Sequence, residues 1–163
     1  MRGPNPVDFE LPYDQGLVLQ VRQEWIAEQK MDGVRALLEF GAMRLPRATV
    51  TPPGALPDDW VFNVFDGCLV DGIYYIFDLL TLNGQDTSSL PLHHRRTLLQ
   101  SLELPSWCRS VPCGKDIGEF LEAVVRDGGS GIILKNLLDP YGNSEWIKVE
   151  CPTVKAKTPA SKS

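Results

Sequence analysis

The run Glu28-Gln29-Lys30-Met31-Asp32-Gly33-Val34-Arg35 sets one lysine between a carboxylate, a glycine and an arginine. A lysine attacks phosphorus only as the neutral amine, so a nucleophilic Lys30 calls for a nearby cation or a dry pocket to favour that form. The guanidinium of Arg35 suits a phosphate or a ribose. The apolar Trp25-Ile26-Ala27 ahead of the lysine reads as a short buried strand that delivers it. Asp32-Gly33 reads as a turn and 34–40 as the returning strand, so residues 24–44 are expected to form a hairpin around Lys30. A plain charged hairpin would leave the same octet.

The elements that must carry these residues follow from pattern. Strands are expected at 61–70 and 73–82, joined by Asp71-Gly72, the strongest hairpin signal in the chain. Apolar residues at helical spacing predict amphipathic helices at 92–102 and 117–125, the second ended by Gly128-Gly129. Further strands are expected at 131–136 and 146–149. Residues 1–20 are loop-rich, with Pro4, Pro6 and Pro12 as breakers, and 46–57 is a loop around Pro52-Pro53-Gly54. The expected organisation is an α+β domain over 21–152, of antiparallel sheets flanked by helices. It is preceded by the loop-rich 1–20 and followed by a disordered basic tail at 153–163.

Other runs extend the octet into an ordered set: Val64-Phe65-Asp66-Gly67-Cys68-Leu69-Val70, Tyr74-Tyr75-Ile76-Phe77-Asp78-Leu79-Leu80, Leu82-Asn83-Gly84-Gln85-Asp86, Gly129-Ser130-Gly131-Ile132-Ile133-Leu134-Lys135 and Trp146-Ile147-Lys148-Val149-Glu150. In their order these resemble the motifs of the ATP-dependent DNA ligases. That family lies within the covalent nucleotidyltransferases, which share Lys-x-Asp-Gly-x-Arg. The resemblance covers roughly residues 20 to 150. It implies the covalent nucleotidyltransferase fold of a ligase adenylation domain and a lysyl-AMP intermediate on Lys30. By the same resemblance, Glu28 would accept from the adenine amino group and favour ATP over GTP. Arg35 would hold the ribose or reach the phosphate of a nicked strand, and Phe77, rather than Tyr75, would stack on adenine, where such a contact contributes about 1 kcal/mol. Lys135 and Lys148 would neutralise phosphates, and Arg47 would match a second family arginine, although Pro46 precedes it where the pattern has serine. A capping-type guanylyltransferase is opposed by Glu28 and by Phe77-Asp78-Leu79-Leu80.

Three positions depart from the family pattern. Cys68 and Ser130 stand where the family has glutamates that help place ribose and metal ions, and Glu150 stands where it has a lysine on the α-phosphate. Magnesium and manganese prefer hard anionic oxygens, which a thiol and a hydroxyl supply poorly; Asp66, Asp71 and Asp127 are the neighbours available to substitute. Glu150 would set negative charge against phosphate: at about 4 Å and an effective dielectric near 20, like charges repel by roughly 4 kcal/mol. A penalty of that size slows phosphoryl transfer about a thousandfold. The family reading is therefore accompanied by a second one, a catalytically degenerate module that binds ATP or a nucleic-acid end without turnover.

Each role also has an ordinary structural explanation. Phe77 sits in an apolar run and would pass for core, and Lys135 for a solvated lysine at a strand end. His93-His94 beside Arg95-Arg96 resembles a ligand cluster, but adjacent residues do not face one another on a helix, so a solvated helix start after Pro91 is expected. The 163 residues carry a formal charge of −5, whereas a self-sufficient nick sealer usually displays a basic surface. Positive residues gather at Arg95-Arg96 and in the tail Lys155 to Lys162, either of which could touch a DNA backbone. Complete ligases continue after the fifth motif into an OB-fold, so the expected partners are nicked duplex DNA and a separate OB-fold-bearing protein. No run is apolar enough to span a membrane. Cys68, Cys108, Cys113 and Cys151 lack zinc-site spacing and are expected as reduced thiols in the cytoplasm.

Overall fold

The computed structural model describes residues 7–11 and 24–151. The tail expected at 153–163 lies outside them, as does most of the segment at 1–20. Inside that segment Val7–Leu11 forms a strand, β1, between Pro6 and Pro12. The described chain divides into two compact units.

One unit holds a five-stranded sheet built from β1, β2 (Trp25–Gln29), β10 (Cys113–Gly114), β11 (Gly131–Asn136) and β12 (Glu145–Glu150), in the order β1-β12-β11-β2-β10. Its pairings are antiparallel except β1 with β12. Helix α2 (Ile117–Arg126) covers one face. Its Asp116 side chain caps the helix by accepting from the Glu119 N–H, and Ile117, Leu121 and Val124 fall on one stripe. The stripe packs with Ala27, Ile132, Leu134 and Val149, alternate residues of three strands. Burial of each large aliphatic there contributes about 1.5–3 kcal/mol. The helix stops at Gly128, whose φ of +78° and N–H bond to the Val125 carbonyl complete a left-handed cap.

The other unit, Met31–Val111 with Leu138–Asn143, holds a sheet ordered β5-β4-β3-β6-β7-β8. Its strands are β3 (Val34–Glu39), β4 (Ala42–Arg44), β5 (Thr49–Val50), β6 (Val64–Val70), β7 (Ile73–Leu82) and β8 (Gln85–Asp86); β9 (Cys108–Ser110) joins β7 in parallel. Asp71 and Gly72 turn β6 into β7 with φ of +50° and +80°, the mirror-type turn that an Asp-Gly pair favours. Leu38, Met43, Trp60, Phe65, Tyr74, Ile76, Leu79 and Trp107 form the core, and Leu99 of helix α1 (Leu92–Gln100) joins it. The fold is α+β, mostly antiparallel sheet with few helices.

The hairpin expected over 24–44 does not form. β2 pairs with β11 and β10, whereas β3 pairs with β4 and β6. The chain leaves one sheet after Lys30 and enters the other at Val34. Gly33 is needed for closeness rather than for turning: a Cβ there would stand 2.1 Å from the Leu69 carbonyl oxygen.

Candidate functional site

Strand alternation sorts the motif residues of the five-stranded sheet onto the face opposite α2. With Ala27, Ile132, Leu134 and Val149 turned to the helix, Glu28 of β2, Ile133 of β11 and Lys148 of β12 share the other face. They form one cross-strand row, since Ile133 pairs with both Glu28 and Lys148. Lys30 begins the next row: its N–H bonds the Gly131 carbonyl, and Gly131 pairs with Glu150. Lys30 and Glu150 thus stand two strand spacings apart, about 9.6 Å at the backbone. Gly131 has no side chain to separate them, and Lys30 Nζ reaches Glu150 Oε1 at 2.8 Å. A Cβ on Gly131 would meet the Val149 carbonyl oxygen at 2.3 Å, so this row requires glycine.

Glu28 and Lys135 are brought together as a pair. Lys135 Nζ lies 2.7 Å from Glu28 Oε1, with side chains only 2% and 1% exposed. The ammonium also sits 3.8 Å from the centre of the Trp146 ring, a cation–π contact inside the protein. Lys135 is therefore not the solvated strand-end lysine of the ordinary reading. Burial of both charges requires the pairing, because either alone would be left without solvation.

In the other sheet, Arg35 of β3 is gripped by Asp66 of β6. Its Nη2 meets Asp66 Oδ2 at 2.5 Å and its Nε meets Oδ1 at 3.1 Å, a bidentate fork. Tyr141 donates to the same Oδ2 at 2.7 Å and lies 3.3 Å from Arg35 Nη2. Burial, then the charge of Asp66, pushes the Tyr141 hydroxyl well up, so it acts as a donor at ordinary pH. The Arg35 guanidinium stands 5.5 Å from the Phe77 ring centre. Phe77 is half-buried on the face opposite the core residues Tyr74 and Ile76, which takes it out of the core reading.

Cys68 pairs with Arg35 across β3 and β6, but its thiol is pushed up by burial and then by Asp32. Among the described residues no three His, Cys, Asp or Glu gather as a metal-holding group. Asp66 is committed to Arg35 and Tyr141, while Asp71 and Asp127 are exposed, in the β6–β7 turn and at the end of α2. Ser130 is buried beside β11. A neutral thiol, a hydroxyl and an occupied carboxylate do not fit magnesium or manganese as a resident ion.

Several expected residues lie elsewhere. Arg95 is not a surface cation: it is buried, with Nε and Nη2 at 2.7 and 2.9 Å from the Asp78 carboxylate and Nη1 on the carbonyls of Leu90 and Asp139. That leaves it no face for a DNA backbone. His93 and His94 are exposed on α1, in keeping with a solvated helix start, and Arg47 is exposed in a loop. Tyr141 and the Trp146 ring contact escaped sequence reasoning. The Pro140-Tyr141-Gly142-Asn143 turn cluster between two motif strands was the available signal for the former.

Residues 69–150 match the family described as the ATP dependent DNA ligase domain. This chain belongs to that family. DNA ligase 4 of Saccharomyces cerevisiae is 31% identical over 127 residues, 71% of this chain and 12% of the yeast protein. A probable DNA ligase of Dictyoglomus thermophilum is 35% identical over 86 residues, 47% of this chain and 15% of that one. The chain thus spans a small part of the curated relatives it matches. A mycobacterial DNA ligase D complexed with ATP and MES shares the fold with a TM-score of 0.70 at 21% identity, over 90% of this chain and 60% of that one. A Lig E DNA ligase structure gives 0.64 at 17% identity, over 92% and 69%. Among the described residues of this ligase domain, no helix is long and apolar enough to cross a membrane.

Proposed function

We propose that this ligase domain adenylates itself on Lys30 as a step in DNA strand joining. The observation that carries the reading is the row arrangement: Lys30 stands one row from Glu28 and Lys148 on the sheet face opposite α2. The Lys30 ammonium gives its proton to solvent, and the freed lone pair attacks the α-phosphorus of ATP. A nitrogen–phosphorus bond forms as the bond to pyrophosphate breaks, and the nitrogen releases a second proton to solvent, leaving AMP on the lysine as a phosphoramidate. Lys148 offsets negative charge that develops on the phosphate. Glu28, held by Lys135, presents its carboxylate to the adenine amino group. Arg35 and Phe77 keep the roles the resemblance gives them, ribose or nick phosphate for the first and adenine stacking for the second. ATP and nicked duplex DNA are the proposed substrates, with any divalent ion arriving on the triphosphate.

A second reading, a nucleotide- or nucleic-acid-binding module without turnover, is favoured by one observation, the contact of Lys30 with Glu150. Incubation with α-labelled ATP and magnesium or manganese, followed by denaturing electrophoresis, separates the two. Label on the wild type and none on Lys30→Ala supports adenylation. Saturable ATP binding without covalent label supports the second reading.

A further inference from the structure

We infer that Glu150 is a positioning residue for Lys30, a carboxylate brake that holds the lysine as an ammonium across Gly131 and sets the pH at which it attacks. The inference rests on the adenylation reading for its consequence, but not for its test. A nucleophilic amine is favoured by a neighbouring cation; Lys30 instead meets a carboxylate at 2.8 Å, and a carboxylate favours the charged form. Glu28, Lys135 and Lys148 are the other charged side chains that the described strands β2, β11 and β12 place on this face. Glu28 and Lys135, on β2 and β11, are paired with each other. Lys148 lies one row away on β12. The Cys151 thiol, which follows β12, is buried and pushed up by burial, then by Glu150.

Water moderates the brake, since the Lys30 side chain is 24% exposed and that of Glu150 40% exposed. Removing the carboxylate is therefore expected to lower the Lys30 midpoint and to raise the neutral amine severalfold near pH 7.5. The same contact also pulls Nζ toward β12, so Glu150 governs where the nucleophile points as well as its proton.

The test is competitive acetylation of the full chain with limiting acetic anhydride between pH 6 and 11, with Lys30 and Lys148 quantified by mass spectrometry. Glu150→Gln, which keeps the shape, is expected to lower the Lys30 midpoint and to leave that of Lys148 within a fifth of a unit. Glu150→Asp keeps the charge and is expected to fall between. Circular dichroism of each variant confirms the fold. A Lys30 midpoint in Glu150→Gln within a fifth of a unit of wild type would overturn the inference. The rate of AMP attachment at pH 7.5 is expected to rise by the same factor as the labelling. If labelling shifts while neither protein takes up AMP, the brake stands and the adenylation reading falls.

Discussion

Removal of one member of the Glu28–Lys135 pair is expected to be among the most damaging single changes in the chain. Both side chains are almost wholly buried, at 1% and 2% exposure, so Lys135→Met leaves a carboxylate in the interior without its ammonium. Glu28→Gln leaves the ammonium on the Trp146 ring, where the 3.8 Å cation–π contact compensates only in part. Breaking a buried ion pair from one side costs about 3–5 kcal/mol, whereas replacing both charges by neutral groups of similar size is often close to neutral. Each single variant should therefore melt roughly 6–20 °C lower, at about 2–4 °C per kcal/mol for a chain of this size. The double variant should lose less than either single one, with a coupling of about 2 kcal/mol or more. Urea denaturation followed by circular dichroism, with m-values compared to guard against a changed unfolded state, gives the four free energies of the cycle. Single losses below about 1 kcal/mol, or losses that simply add, would mean that the two charges do not depend on each other in the interior.

Two further outcomes follow from other contacts. Tyr141→Phe removes a donor from buried Asp66 and should cost about 1–2 kcal/mol; it should also loosen Arg35, seen as a severalfold faster reaction of that guanidinium with phenylglyoxal, with an unchanged rate counting against the network. Burial pushes the Cys108 thiol from 9.0 up to about 12, so its contribution to stability is complete below pH 9 and is lost as pH rises toward 12. Urea midpoints between pH 8 and 11 should fall less steeply in Cys108→Ala than in wild type.

What could be read from the sequence divides along physical lines. The β6–β7 hairpin was legible because Asp71-Gly72 needs no tertiary help to turn. Helix α2 was legible because Ile117, Leu121 and Val124 repeat at its own period. The same Asp-Gly signal misled at Asp32-Gly33, where the glycine serves a close approach to Leu69 and the flanking strands enter different sheets. Arg95 misled because charge reads as surface until a buried partner is known, and Asp78 lies 17 residues away in the chain. The Lys30–Glu150 contact spans 120 residues and depends on the register of β11 against β12, which no local pattern encodes. Sequence reasoning placed Glu150 against phosphate; the structure places it against Lys30.

Peptide mapping of ATP-treated protein decides whether Lys30 carries AMP. After incubation with ATP and magnesium or manganese, proteolysis under mildly alkaline conditions that preserve a phosphoramidate and tandem mass spectrometry should place AMP on the peptide containing Lys30. No such adduct should appear in Lys30→Ala. An adduct on another lysine, or one that persists in Lys30→Ala, would contradict the account.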